Sequence, residues 1–251
     1  MRIGLALDDR RNEKRVALRP EELMDIARRC QVFVERDAGL GAGITDDEYR
    51  QAGAHPATKA MVYSCPLVVK LREPNETELK LMRPGATMFS MMHLHNRLNL
   101  ARLLWGMRIN AIAMEKVKDH LGERMIEDLH EVGYAGMMKA FELWGRSPAK
   151  ATVKIMGHGK IAIGAIQAAS RAQARVILFN KREMNEPHYL VAGIYHTALW
   201  GWPAMDPFHI SKRYSLQLAP LVKALADNGL EKAPVCIQNA VIRLDAGERV
   251  L

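Results

Sequence analysis

The sequence predicts an α/β fold built in two parts, and three observations predict it. Short apolar runs alternate along the chain with longer amphipathic stretches, the pattern of a largely parallel sheet covered by helices. One run, at 151–157, passes directly into a glycine-spaced turn and a helical stretch. The 251 residues are 49% hydrophobic and 25% charged, which supplies a deep core and excludes disordered, collagen-like and low-complexity chains.

The elements follow in order. RIGLAL (2–7) reads as a buried strand. Pro20 at a helix N1 position, with apolar residues at 23, 24, 26, 27 and 30, predicts a helix, and QVFVE (31–35) returns as a strand. Thr45 before Asp46, Asp47 and Glu48 is an N-cap with an acidic first turn, so a short helix covers 46–53. PLVVKLR (66–72), ATMFSMMH (86–93) and INAIAME (109–115) are three further strands, separated by helices over 76–82 and 97–105. A polar connection, 116–129, precedes a helix over 133–145 that Gly145 ends, and a boundary is expected there. ATVKIMG (151–157), a helix over 160–172 and RVILFN (175–180) form a second strand–helix–strand unit. The tail holds a helix over 215–229, capped by Asn228-Gly229, in which Pro220 predicts a kink or a delayed start.

Charge and cysteine content bound the setting. The 36 Lys and Arg against 28 Asp and Glu leave a net charge of +8, yet the basic residues form no block, so nothing prompts nucleic acid as partner. Cys30, Cys65 and Cys236 are an odd number at wide spacing and support neither a disulfide framework nor a thiolate zinc site. The N-terminal stretch MRIGLALDDRR carries charge and no apolar leader core, and no apolar run approaches the roughly 18 residues of a membrane span. A cytoplasmic protein with no membrane partner is expected.

Gly157-His158-Gly159-Lys160-Ile161-Ala162 fits G-x-G-x-x-G/A in a strand–turn–helix context. The first glycine permits the tight turn, the second lets backbone N–H groups approach a diphosphate, and Ala162 allows close packing of helix on strand. The bland alternative is a glycine-rich turn that binds nothing. At the end of the next strand, where an NAD site presents a carboxylate to the ribose, stand Asn180, Lys181 and Arg182. A neutral residue and two cations suit a 2′-phosphate, so NADP(H) is favoured over NAD(H); a solvated turn is the competing reading. Some thirty residues separate Asn180 from the last helix, whereas the second half of a full dinucleotide fold needs at least two more crossovers of about 30 residues each. The Rossmann-type domain is therefore abbreviated.

Several linked motifs resemble the alanine dehydrogenase/pyridine nucleotide transhydrogenase N-terminal family. They are Glu13-Lys14-Arg15-Val16-Ala17-Leu18-Arg19-Pro20, Ala38-Gly39-Leu40-Gly41-Ala42-Gly43-Ile44-Thr45-Asp46, Glu48-Tyr49, Ala52-Gly53-Ala54, Val69-Lys70-Leu71-Arg72-Glu73-Pro74 and Met92-His93-Leu94-His95. The resemblance covers about 1–180 and resumes near 211–230. Within the superfamily, Gly133-Tyr134-Ala135-Gly136-Met137 and Asn180-Lys181-Arg182-Glu183-Met184-Asn185-Glu186 resemble the opine-forming and saccharopine dehydrogenase-like branch that includes N5-(carboxyethyl)ornithine synthase.

The resemblance implies a substrate domain at 1–130, a shortened Rossmann domain at 146–210 and a segment at 211–251 returning to the first domain, with the substrate held in a cleft. It implies that Arg15 holds a substrate carboxylate, a task a planar five-donor fork suits, and that His93 exchanges a proton with a keto or imino group, for which an imidazole is apt near neutral pH. His95, two residues on, suggests half of a metal site, but no third ligand is signalled and no metal is expected. Arg72 stands where alanine dehydrogenases carry a catalytic lysine; it can bind or polarise an oxygen but cannot act as a base. Lys70 is two residues earlier on the same strand and is the candidate substitute. Met114 replaces a tyrosine common in alanine dehydrogenases. Tyr195, Trp200 and Trp202 either cover an aromatic ligand or fill core left by the missing elements.

Two functional classes result. One is a nicotinamide-dependent reductase of the imine formed from a 2-keto acid and an amine or amino acid, with Arg15 and Arg72 on carboxylates and His93 and Lys70 managing the proton. The other is a non-catalytic binding or regulatory paralogue, which the Arg72 replacement and the short second domain favour. Family members associate through their N-terminal domains, so a homodimer or larger homo-oligomer is expected.

Overall fold

The computed structural model of the chain describes residues 1–9, 13–179 and 207–242. It divides into two units, 1–127 with 207–251, and 128–206.

The first unit is a six-stranded parallel sheet in the order β3-β2-β1-β4-β5-β6. Its strands are β1 (Arg2–Leu5), β2 (Gln31–Glu35), β3 (His55–Ala57), β4 (Leu67–Arg72), β5 (Thr87–Met91) and β6 (Asn110–Ala113). The helices are α1 (Pro20–Ala27), α2 (Asp46–Gln51), α3 (Lys59–Tyr63), α4 (Glu76–Leu79) and α5 (Leu98–Gly106), joined after the second unit by α8 (Pro207–Asn228) and α9 (Val235–Gln238).

Strand alternation sorts the core into two layers. Ile3, Leu5, Val32, Val34, Val69, Phe89 and Ile112 pack on one face with Leu23 and Ile26 of α1 and Leu218, Val222 and Leu225 of α8. Val68, Met88, Ala111 and Ala113 face the other way, against Val62 and Tyr63 of α3, Leu79 of α4 and Ala101 and Leu104 of α5. Gly4 lets α3 sit close on β1, because a Cβ there would fall 2.2 Å from the Val62 carbonyl oxygen. Both α2 and α4 begin in capping boxes, Thr45 with Glu48 and Asn75 with Glu78.

Two short elements, β3 and α3, and the terminal α9 occur where the sequence shows no clear period. The last helix begins at Pro207, well before the predicted 215, and carries Pro220 inside it. Its burial of Ile210, Tyr214, Leu218, Leu221, Val222 and Leu225 along one face supplies the packing that overrides the local breaker. The outer edge of β6 is covered by the chain beyond α9: Ala113 N–H donates to Ala240 O at 2.9 Å and Ile242 N–H to Ala111 O at 2.8 Å.

The second unit contains α6 (Leu129–Trp144), β7 (Thr152–Met156), α7 (Lys160–Arg171) and β8 (Arg175–Phe179). Strands β7 and β8 form a two-stranded parallel sheet among the described residues. Helices α6 and α7 touch backbone to backbone. A Cβ on Gly133 would lie 1.8 Å from Ile161 O, and one on Gly164 1.9 Å from His130 O. Reciprocal glycines thus set this crossing, and the unit starts before α6, at Asp128.

Candidate active site

The sheet order places a topological switch between β1 and β4: the chain leaves β1 toward β2 and β3, then returns to β4 and proceeds to β5 and β6. Loops leaving adjacent strands in opposite directions open a crevice at the carboxyl ends of those strands, the general ligand site of open parallel sheets. The segment after β1 carries Glu13 and Arg15, β4 ends in Arg72, and His93 follows β5. Arg72 pairs across the sheet with Met91, two residues before His93.

Buried carboxylates pin these exits. Glu35, at the end of β2, accepts from Leu7 N–H at 3.0 Å, and Asp8 accepts from Arg72 N–H at 3.0 Å. Glu115, after β6, accepts from Met92 N–H at 3.0 Å and His93 N–H at 2.5 Å. Glu73 lies 3.7 Å from Arg72 Nε and pairs with Arg97.

Arg15 is buried and its guanidinium is gripped from one edge by Glu13, Nε to Oε1 at 2.7 Å and Nη2 to Oε2 at 2.6 Å. Burial disfavours both charges, but this bidentate bond outweighs it: Glu13 is held below the usual carboxylate range and Arg15 is raised above its ordinary value. The Tyr214 ring lies 5.5 Å from the guanidinium carbon. The backbone beside Arg15 is fixed from α8, where Ser211 Oγ accepts from Val16 N–H at 3.0 Å and Ser215 Oγ from Arg19 N–H at 2.7 Å. Tyr49 completes the clamp by donating to Leu18 O at 2.9 Å, and burial pushes its phenol pKa far up.

His93 adopts a left-handed backbone, φ 48 and ψ 40, and its Nδ1 lies 3.8 Å from Glu115. Such a conformation in a residue with a Cβ is strained and is typical of sites where geometry is functional.

Lys70 behaves differently from the expectation of a reactive lysine beside Arg72. One extra residue in β4 between Val69 and Arg72 breaks the alternation that would align the two. The Lys70 side chain is 1% exposed and pairs at 2.6 Å with Glu78, also 1% exposed. Lys59 stands 3.7 Å from the same carboxylate and 2.9 Å from Asp9. The ammonium is thus committed to a core ion pair.

The turn 157–162 belongs to the second unit. Gly157 has φ 91, a Cβ on Gly157 or Gly159 would meet no atom of the described residues within 4 Å, and Gly159 begins α7 without a side-chain cap. An open backbone cradle at an uncapped helix start fits a dinucleotide's diphosphate. Asn180, Lys181 and Arg182, with Tyr195, Trp200 and Trp202, lie outside the described residues.

The acidic partners were not singled out from sequence. Asp8, Glu73 and Glu115 each stand just beyond an apolar strand run, and a lone carboxylate in that position is the signal that would have found them. The serines at 211 and 215, one helical turn apart, carry no sequence signal, because their partners lie almost 200 residues away.

Comparison with known proteins places the chain among relatives of the same fold. The alanine dehydrogenase of Staphylococcus haemolyticus is 34% identical over 120 residues, 47% of this chain and 32% of that protein. That of Staphylococcus saprophyticus is 31% identical over 182 residues, 70% of this chain and 47% of that protein. The aligned stretches thus span less than half of these relatives' own length. Among solved structures, an L-alanine dehydrogenase superposes with a TM-score of 0.77 at 18% identity, covering 100% of this chain and 97% of that one. A transhydrogenase from Sinorhizobium meliloti gives 0.81 at 17%, covering 100% of both chains. These establish the fold, and none of the described helices is long and apolar enough to cross a membrane. The family profile "Alanine dehydrogenase/PNT, N-terminal domain" matches residues 6–129, and through that segment the chain belongs to the alanine dehydrogenase/PNT superfamily.

Proposed function

We propose that this protein is a nicotinamide-dependent oxidoreductase acting on a CH–NH bond, reducing the imine formed from a 2-oxo acid and an amine or amino acid. What supports the proposal is the strand order: Arg72 ends β4, His93 follows β5 and Arg15 lies on the segment after β1, and these three strands are neighbours in the sheet. Two guanidiniums hold carboxylates, and neither can deprotonate, so they orient and polarise and leave proton exchange to His93. In balance, 2-oxo acid, amine, reduced nicotinamide and a proton give N-substituted amino acid, oxidised nicotinamide and water. The cofactor supplies the hydride, and Gly157, His158, Gly159, Lys160, Ile161 and Ala162 are the residues to hold its diphosphate. With Asn180, Lys181 and Arg182 following β8 in sequence, NADP(H) is the preferred form.

Arg72 in place of lysine favours an opine-type reaction over simple alanine dehydrogenation, since a second arginine suits a second carboxylate, that of an amino-acid amine. Small-molecule substrates and a homo-oligomeric assembly complete the reading. Steady-state oxidation of NADPH and NADH with pyruvate or 2-oxoglutarate against ammonia, ornithine and lysine tests it. Turnover with an amino-acid amine and NADPH is expected. Absence of turnover, together with no calorimetric binding of either nucleotide at millimolar concentration, replaces this reading with the non-catalytic paralogue.

A further inference from the structure

We propose that Glu115 is the positioning residue for His93, acting through the backbone of the turn that carries the imidazole. The inference rests on the reading of His93 as the proton-exchanging group and adds the device that holds it. β6 lies beside β5 with Ala113 opposite Ser90, so the turn over 114–116 brings residue 115 level with 92 and 93. There one buried carboxylate receives two successive backbone N–H groups, Met92 on Oε2 at 3.0 Å and His93 on Oε1 at 2.5 Å. Charge-assisted bonds of this kind are the strong ones. They converge where the chain takes up a left-handed conformation at a residue with a Cβ, a state that persists only when its surroundings impose it.

The same oxygen that binds the His93 amide stands 3.8 Å from its Nδ1. That is too long for a hydrogen bond and short enough for an ion pair, so the negative charge favours a proton on the Nδ1 side of the ring. Glu115 therefore fixes the chain direction at His93 and biases which ring nitrogen carries the proton. It touches no reacting atom, so its effect on chemistry passes entirely through His93. Asparagine or aspartate at 115 would be one methylene shorter, while glutamine retains the reach and one acceptor oxygen without the charge.

The test is amide exchange and the His93 Cα chemical shift of the full chain in Glu115→Ala and Glu115→Gln, with Val68 and Met88 amides as core references. In Glu115→Ala the Met92 and His93 amides are expected to exchange at least about tenfold faster while the references keep their protection. The His93 Cα shift should leave the left-handed range. Glu115→Gln is expected between wild type and Glu115→Ala, and it decides the matter if the alanine variant does not fold. In turnover, kcat should fall about 100-fold with KM for the 2-oxo acid within threefold. Unchanged exchange and Cα shift at 92 and 93 in the variants overturn the proposal, as does a loss confined to KM. If the wild type turns over no 2-oxo acid, the spectroscopic arm still decides the role of Glu115, and only the proposed reaction falls.

Discussion

Replacing Lys70 by methionine separates a structural lysine from a reactive one. The wild-type pair, Lys70 Nζ to Glu78 Oε1 at 2.6 Å, has both side chains 1% exposed, and removing one partner of such a pair typically costs about 3–5 kcal/mol. Glu78 is not left bare, because Oε2 still accepts from Asn75 N–H at 2.8 Å and Lys59 stands 3.7 Å from Oε1. The lower end applies, about 3 kcal/mol, which at roughly 2–4 °C per kcal/mol for a chain of this size lowers Tm by about 6–12 °C. Combining Lys70→Met with Glu78→Gln removes both buried charges and keeps the helix cap, so the double variant should return to within about 1 kcal/mol of wild type. Differential scanning calorimetry gives the stabilities, and turnover or 2-oxo acid binding on the same samples gives the function. The double variant should bind and react within threefold of wild type. A Lys70→Met protein as stable as wild type, or a stable double variant that has lost turnover about 100-fold, would refute the assignment of Lys70 to the core.

Further outcomes follow from the same geometry. Because the folded pKa of Glu13 is depressed below its ordinary value of 4.5, its contribution is fully present above that value and is lost as pH falls through the depressed one. Acid titration of stability should therefore be shallower below about pH 4.5 in Glu13→Gln, whose cost at pH 7 is about 1.5–3 kcal/mol. Gly164→Ala drives a Cβ toward the His130 carbonyl oxygen, 1.9 Å away in the present backbone; overpacking of about 3 kcal/mol should make 128–179 sensitive to limited proteolysis while amides of the β1 to β6 sheet stay protected. Ser215→Ala strands the Arg19 N–H and removes the 2.7 Å bond to Glu22, so a loss of about 1–3 kcal/mol should be accompanied by weaker carboxylate binding at Arg15, read by calorimetry.

How much of this was legible in the sequence depends on whether the cause is local. Strands QVFVE and TVKIM and helix α1 could be read because their apolar spacing, Pro20 and flanking breakers act within a few residues. Helix α6 starts earlier than its period suggests, because Gly133 serves a helix crossing and looks from sequence like a weak point. Arg15, Arg72 and His93 were marked by motif, but their environments were not. The alternation argument for Lys70 presumed a regular β4, and the extra residue between Val69 and Arg72 has no signature in the run LVVKLR. The clamp from α8 onto 16–19 depends on contacts that no pattern along the chain encodes.

The division of labour between acids and bases at the sheet's carboxyl end explains why the candidate site tolerates so many buried charges. Asp8, Glu35 and Glu115 each accept main-chain N–H groups from an adjacent strand exit, and Glu35 and Glu115 also have Lys59 Nζ and His93 Nδ1 respectively at 3.8 Å, so backbone donors supported by nearby side chains let these carboxylates stay buried. Glu13 instead spends both oxygens on the Arg15 guanidinium. That edge-on grip uses Nε and Nη2 and leaves Nη1 uncommitted to any described residue, so a ligand carboxylate approaching Arg15 meets a guanidinium already oriented and desolvated. Preorganisation of this kind lowers the ordering cost of binding, although Glu13 offsets the guanidinium's positive charge.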